Sequence, residues 1–198
     1  EKDWALTLLD QRGEIRGFST QKIMDVNVAG RRVLALFSGD TIIDHRYWGS
    51  TELMRVWGEL AFQVIESYPG EELYWFLISM GFRTYKMLPL FFQEYYPKRN
   101  MNTPSNAKKV IDTLAKTKFG PLYNPENMLI TPEHGASRLK LRFRDPKPNG
   151  DPHTQYYLQR NPNHHLGYEL ACLAPLTLNN FTTRALKILQ VCTWREVA

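Results

Sequence analysis

Apolar residues follow two different spacings in the first half of the chain. The run at 33–43 is continuous enough to predict a buried strand, and a second run at 72–80 predicts another. Between them, over 52–65, apolar side chains recur at intervals of three and four residues, which is the period of a helix. A crossover helix places the strands that it joins parallel to each other, so this stretch predicts a β–α–β unit.

The residues before this unit predict three strands in an antiparallel meander. Alternating segments between residues 4 and 37 are interrupted by turn signals at 11–14 and 28–30. The last strand of the meander is the first strand of the β–α–β unit.

The second half of the chain predicts further helices and strands around the same sheet. We expect a helix at 104–117, an ordered excursion at 118–136, and a helix at 180–191 with Leu186 and Leu189 facing inward. Strands are expected at 137–143, 153–160 and 168–176. The fold class is therefore α/β (α+β), with a mixed, largely antiparallel twisted sheet flanked by helices in a single domain over 1–198.

The turn between the first long strand and its helix is the best candidate for a binding site. It offers consecutive backbone N–H groups at a helix start beside one glycine, and this is how proteins hold phosphate oxygens. A pyrophosphate is the expected ligand, although a plain strand-to-helix connection has the same pattern. The residues of this turn are Arg46, Tyr47, Trp48, Gly49, Ser50 and Thr51.

This order of elements resembles the GNAT superfamily of N-acetyltransferases over residues of about 4 to 97. In that family the turn has the pattern Gln/Arg-x-x-Gly-x-Gly/Ala; Arg46 and Gly49 match its first two fixed positions, and Thr51 departs from the third. The resemblance implies acetyl-CoA or another acyl-CoA as donor, and direct attack by a small-molecule amine on its thioester between two splayed strands, 33–43 and 73–79. The family's first strand and first two helices would precede residue 4, and 98–198 would be an enlarged C-terminal part.

The resemblance also implies roles for individual residues. The donor would contact Thr41, Ile42 and Ile43 on the first strand and Ser79 at the end of the second, where Ser79 has the alternative of filling the strand. Tyr85, with a phenol pKa of about 10, would protonate the leaving thiolate; the alternative is a core position in an aromatic stripe.

Asp40 follows Gly39 near the end of the first long strand. A carboxylate there can take a proton from an ammonium acceptor, directly or through water. The alternative is that Asp40 satisfies backbone N–H groups of a turn.

The charge of the chain is compatible with more than one anionic partner. The net charge is +5, and a basic stripe alternates with apolar residues at Arg138, Lys140, Arg142 and Arg144. The stripe fits an acidic acceptor, the 3′-phosphate of CoA, an acyl carrier protein or nucleic acid, and also an edge strand guarded against pairing. We do not expect nucleic acid to be the main partner.

Other features narrow the chemistry. Cys172 and Cys192 lie in apolar settings and predict free thiols, and no metal site is expected, although His153, His164 and His165 could approach one another across a hairpin. No apolar run reaches the ~18 residues of a membrane span, so we expect a cytoplasmic protein. The alternatives to an acyl-CoA-dependent transferase are acyl transfer from acyl carrier protein and a non-catalytic CoA- or nucleic-acid-binding domain.

Overall fold

The computed structural model describes residues 2–48, 50–132 and 150–189. The chain opens with the predicted antiparallel meander, which is confirmed. Gly13 and Gly30 adopt φ values of 77° and 86° at its two turns, a conformation that costs a glycine little. Its strands are β1 (Trp4–Leu9), β2 (Ile15–Val28) and β3 (Arg31–Ile43).

The predicted β–α–β unit is also confirmed. After β3 the chain forms α1 (Glu52–Ser67) and returns as β4 (Leu73–Ser79), parallel to β3. The helical spacing of α1 brings Leu53, Trp57, Leu60, Ala61 and Val64 onto its buried face. This burial, rather than a capping side chain at Thr51, holds the helix against the sheet.

The rest of the described chain adds five more α-helices, a small hairpin and one long strand to the elements already given. The predicted helix at 104–117 and the predicted strand at 168–176 are both confirmed. In chain order these elements are α2 (Phe82–Tyr85), α3 (Met87–Phe91), α4 (Ser105–Phe119), β5 (Tyr123–Asn124), β6 (Leu129–Ile130), α5 (Pro152–Arg160), β7 (Glu169–Pro175) and α6 (Thr183–Leu189).

All the strands in these ranges join one sheet in the order β1-β2-β3-β4-β7-β6-β5. The β3–β4 pair is parallel, and its neighbours pair antiparallel. β7 lies directly beside β4, with Tyr74 opposite Pro175 and Ser79 opposite Leu170. The second half of the chain therefore completes the sheet that the first half begins.

The prediction of a strand at 153–160 is wrong, because this segment forms α5. Pro152 stands in the first turn, where its missing N–H costs nothing. The Asp151 carboxylate accepts hydrogen bonds from the backbone N–H groups of His153 at 3.1 Å and Thr154 at 3.2 Å. The cap and the proline together outweigh the β-propensity of the tyrosines that follow.

Of the two leucines expected to face inward on the last helix, one is buried and the other is partly exposed. Leu189 is buried, but Leu186 is 37% exposed and Ala185 takes the inward position instead. The Leu189 side chain packs where a Cβ on Gly58 of α1 would stand, so the small residue in α1 allows the two helices to meet. The predicted strand at 137–143 and the end of the helix beyond residue 189 lie outside the described residues.

Two neighbouring residues of β3 show how the helices divide between the faces of the sheet. Successive side chains on a strand point to opposite faces. Phe37 packs edge-on against Phe119 at the end of α4, with ring centroids 6.1 Å apart. Ser38 accepts a hydrogen bond from Trp75, and the Trp75 ring packs against Trp57 of α1 with ring centroids 4.6 Å apart. α1 and α4 therefore cover opposite faces.

We expect Asp151→Ala to destabilise the protein by about 1 kcal/mol, because the first turn of α5 loses its capping oxygen. Asp151→Asn keeps the capping oxygen and loses the partly exposed ion pair with Lys86 and the hydrogen bond from Thr154 Oγ1. Because Asp151→Ala loses these contacts and the cap as well, Asp151→Asn should cost less. Urea unfolding of the three proteins measures both values. Equal losses in the two variants would contradict the capping account of this helix.

Candidate functional site

The parallel strands β3 and β4 diverge near their C-terminal ends. Their paired register ends with Ser38 opposite Leu77. From there β3 continues beside β2 as far as Ile43, whereas β4 continues beside β7 as far as Ser79. An opening therefore lies between 39–43 and 78–79, and we call it the strand opening.

A β-bulge begins the strand opening. Ser19 pairs with Thr41 and Gln21 pairs with Ser38, so Thr20 faces two residues of β3. These two residues are Gly39 and Asp40. A bulge bends its strand and increases the local twist, which turns the end of β3 away from β4.

A row of hydrogen-bonded polar side chains holds the three strands together at this point. Trp75 Nε1 donates to Ser38 Oγ at 2.7 Å, and Ser38 Oγ donates to Gln21 Oε1 at 2.5 Å. Gln21 Nε2 then donates to Ser19 Oγ at 2.7 Å, and Ser19 Oγ lies 2.8 Å from Thr41 Oγ1. We call these five residues the polar row. Buried polar groups are stable only when paired, so the row favours one register for the bulge.

Glu169, the first residue of β7, lies beside the end of β4 and is partly buried. Strand alternation places it on the α4 face, because Leu173 of the same strand pairs with Phe76, and Phe76 packs against Phe37. In the described part of the chain its carboxylate makes no hydrogen bond and no ion pair.

Burial, followed by the nearby Asp40 carboxylate, raises the pKa of Glu169 to about 7. Both causes disfavour the charged form, since the group loses hydration and meets a like charge. A carboxyl group that titrates near neutral pH can take up and release a proton under physiological conditions, which suits a general base. Sequence reasoning missed Glu169; its only signal there is a single acidic residue at the start of an apolar strand.

Asp40 is at the mouth of the strand opening and is largely exposed, with 73% of its side-chain surface accessible. Lys2 Nζ lies 3.7 Å from Asp40 Oδ2 and 5.3 Å from the centroid of the Phe37 ring. The Asp40 side chain makes no hydrogen bond with a turn N–H in the described residues. Asp40 is close enough to Glu169 to raise the pKa of that residue.

The predicted phosphate turn is partly described. Residues 45–47 form a short 3₁₀ turn capped by Asp44, which accepts from the Arg46 N–H at 3.0 Å. The Arg46 guanidinium lies against the same carboxylate and holds the pKa of Asp44 well below its usual range. Gly49 lies outside the described residues.

The other predicted donor contacts surround this turn. Trp48 Nε1 donates to the Ile43 carbonyl at 3.0 Å. The Arg83 guanidinium lies over the Trp48 ring, with Arg83 Cζ 4.7 Å from the ring centroid. Ser50 Oγ accepts from the Glu52 N–H at 3.3 Å. The remaining positions differ in exposure: Thr41, Ile42 and Thr51 are exposed, and Tyr47 is partly buried.

Tyr85 and Ser79 occupy buried positions. The Tyr85 hydroxyl donates to the Pro97 carbonyl at 2.9 Å, and burial raises its pKa far above the usual range. Ser79 Oγ donates to the Gly81 carbonyl at 2.9 Å. Both placements fit the alternatives, a core tyrosine and a serine that completes its strand, better than contact with a substrate.

The remaining candidates are the histidines, the cysteines and the basic stripe. Within residues 2–48, 50–132 and 150–189, no three His, Cys, Asp or Glu side chains converge as metal ligands. His153 is in α5 rather than in a hairpin strand, and burial lowers its pKa. Burial raises the pKa of the Cys172 thiol above its usual range. Cys192 and the basic stripe lie outside the described residues.

Comparison of the chain with protein-family models, with curated proteins and with solved structures finds no match. In the part of the chain that the structure describes, every helix is too short or too polar to cross a membrane.

We expect Glu169→Gln to change the pH dependence of stability. The folded protein binds the Glu169 proton more tightly than the unfolded chain does. The unfolding free energy of the parent should therefore fall as pH rises from about 4.5 to about 7. Glu169→Gln has no such proton, so the difference in unfolding free energy, variant minus parent, should rise across that window by on the order of 1 kcal/mol per pH unit. Urea unfolding at pH 4.5, 6 and 8 measures the difference, and a constant difference would contradict the raised pKa.

Proposed function

We propose that this protein transfers an acetyl or longer acyl group from acyl-CoA to an amine acceptor in the strand opening, with Glu169 as general base. The observation that carries this proposal is the conjunction of two parting parallel strands with a carboxyl group whose pKa is about 7 beside the gap. The GNAT resemblance implied two splayed strands after an antiparallel meander and a crossover helix. The topology of β1 to β4 supports that resemblance.

The strand opening suits the pantetheine arm of the donor. Beyond Ser38, β3 has β2 on one side and no paired strand on the β4 side in the described residues. Its backbone groups on that side can pair with the two amide groups of an extended pantetheine chain, as a sheet edge pairs with a peptide. The thioester would then lie close to the bulge at Gly39 and Asp40.

The start of α1 suits the donor's pyrophosphate. Its first-turn N–H groups and the helix dipole favour an anion. Arg83 stands over Trp48 beside this turn and supplies a guanidinium that no carboxylate pairs in the described residues. Arg46 is already engaged by Asp44, so Arg83 is the better candidate for a phosphate contact.

Glu169 and Asp40 would divide the proton chemistry between them. An amine acceptor arrives as an ammonium ion and must lose a proton before its nitrogen can attack. Glu169 accepts that proton; the nitrogen then forms a bond to the thioester carbon, and the C–S bond breaks. The thiolate leaves, and the second proton of the attacking nitrogen neutralises it, directly or through water. Asp40 attracts the ammonium and keeps the pKa of Glu169 high.

A donor carried on acyl carrier protein remains the second candidate. It would use the same strand opening, because the acyl group of that donor is also attached to a pantetheine arm. Only the basic stripe, a feature of the sequence, favours it. An assay with both kinds of donor separates the two candidates.

The decisive experiment follows thiol release from acetyl-CoA, longer acyl-CoA esters and acyl-acyl carrier protein with a panel of amines. We expect kcat/KM to rise with pH through about 7 as Glu169 loses its proton. Glu169→Gln should lower kcat by about 10²- to 10⁴-fold, the usual contribution of a general base, and remove this dependence.

The matched control is Asp40→Asn, which leaves Glu169 in place and removes the like charge beside it. The midpoint of the pH profile should then move toward lower pH, because one of the two causes of the raised pKa is gone. An absence of turnover with every donor, together with no donor-induced rise in melting temperature, would overturn the proposed function.

A second variant separates the two interpretations of Tyr85. As a core residue, Tyr85→Phe leaves the Pro97 carbonyl without its donor and should cost about 1 to 3 kcal/mol of stability. Turnover per folded molecule should stay within a few-fold of the parent. Thermal unfolding and kcat measured on the same preparation test this expectation; a 100-fold loss of kcat at unchanged stability would restore the tyrosine as a proton donor.

A further inference from the structure

Two ammonium groups lie around one aromatic ring on the α4 face of the strand opening. Lys2 Nζ is 5.3 Å and Lys118 Nζ is 5.6 Å from the centroid of Phe37. One lysine lies just before β1 and the other is in the last turn of α4, so the fold brings them together from distant parts of the chain. We call them the lysine pair.

The charges of the lysine pair are only partly balanced by the protein. Lys2 has Asp40 at 3.7 Å, a long ion pair with a largely exposed carboxylate. Lys118 has no ion-pair partner among the described residues. A lysine in the last turn of α4 interacts favourably with the helix dipole, and both Lys116 and Lys118 lie in that turn. Among the described contacts, Lys118 approaches the Phe37 ring and Lys116 does not.

A third polar group at this point also lacks a partner. The Thr20 hydroxyl is buried and makes no hydrogen bond within the described residues. It stands 2.9 Å from where a Cβ on Gly39 would be, and the Lys2 ammonium lies against the same position. If Lys2 turned toward a ligand, the Thr20 hydroxyl would be uncovered beside it. A buried unpaired hydroxyl is costly, and an oxygen of a ligand is a partner that satisfies both groups.

We infer that the acceptor is an amine that carries its own carboxylate, of the free amino acid class, with its carboxylate held by Lys2 and Lys118. This inference rests on the proposed function. The ammonium of such an acceptor faces Asp40 and Glu169, and its carboxylate faces the lysine pair. The acidic pair and the lysine pair meet at the bulge, where Lys2 and Asp40 approach each other. An α-amino acid matches this arrangement because its ammonium and carboxylate groups are both attached to the α-carbon. This complementarity favours a zwitterion over a simple amine.

Calorimetric titration tests the inference without any donor. The probes are the proteinogenic L-amino acids and their primary amides, which differ only in the carboxylate. We expect at least one amino acid to bind at least 10-fold more tightly than its amide. Lys118→Gln and Lys2→Gln should abolish this preference, and Lys118→Arg should retain most of it.

The matched control is Lys116→Gln, which removes one positive charge from the same helix turn and leaves the lysine pair intact. It should keep the preference for the carboxylate. Equal affinity of every amino acid and its amide in the parent protein, or a preference that survives in Lys118→Gln and Lys2→Gln, would overturn the inference.

Turnover distinguishes failure of this inference from failure of the proposed function. If acyl groups are transferred equally well to amino acids and amides, the acceptor class is wrong and the transferase stands. If an amino acid binds with the expected preference and no thioester is consumed, the carboxylate site stands and the transferase fails. In an active enzyme, Lys118→Gln should raise KM for the amino acid and leave the amide unchanged.

Discussion

The hydrogen bonds of Ser38 are the constraint on which the strand opening depends. Its hydroxyl accepts from Trp75 of β4 and donates to Gln21 of β2, so one side chain joins three strands at the last β3–β4 pair. Breaking either bond would leave a buried polar group without a partner, which costs about 1 to 3 kcal/mol. The polar row thereby fixes where β3 stops following β4 and begins to follow β2 alone.

The same constraint shapes the electrostatics of the site. Because the bulge carries Asp40 away from β4, its carboxylate stands at the mouth, where it influences Glu169 across the gap. Two carboxylates near each other cannot both ionise easily, and burial adds to the difficulty for Glu169. The pKa of Glu169 therefore lies near neutral pH, while Asp40 is largely exposed at the mouth. The fold gives two acidic residues different surroundings, one exposed and one partly buried.

Some of this arrangement was predictable from local patterns. The meander, α1, β4, α4 and β7 each have enough periodicity or continuous apolar length to be predicted from sequence. The segment at 153–160 was predicted wrongly. Its residues favour a strand, but the capping Asp151 and Pro152 at the first helical position stabilise a helix instead. Leu186, which was expected to face inward, is partly exposed, because the orientation of α6 depends on the contact between Leu189 and Gly58, a residue more than one hundred positions earlier.

The sequence by itself determined the order of elements, the parallel β–α–β unit and the presence of a polar turn at a helix start, since these follow from spacing within short windows. Asp40 could be proposed for the same reason, as a carboxylate close to the end of a predicted strand. Only the tertiary structure decided that Glu169 and Asp40 share one opening, that Lys2 and Lys118 meet at Phe37, and that Tyr85 is enclosed by Pro97 and its aromatic neighbours. These facts depend on which strands become neighbours and on how deeply each group is buried. Burial and proximity between distant residues set a pKa, and neither is encoded in the local pattern around a residue.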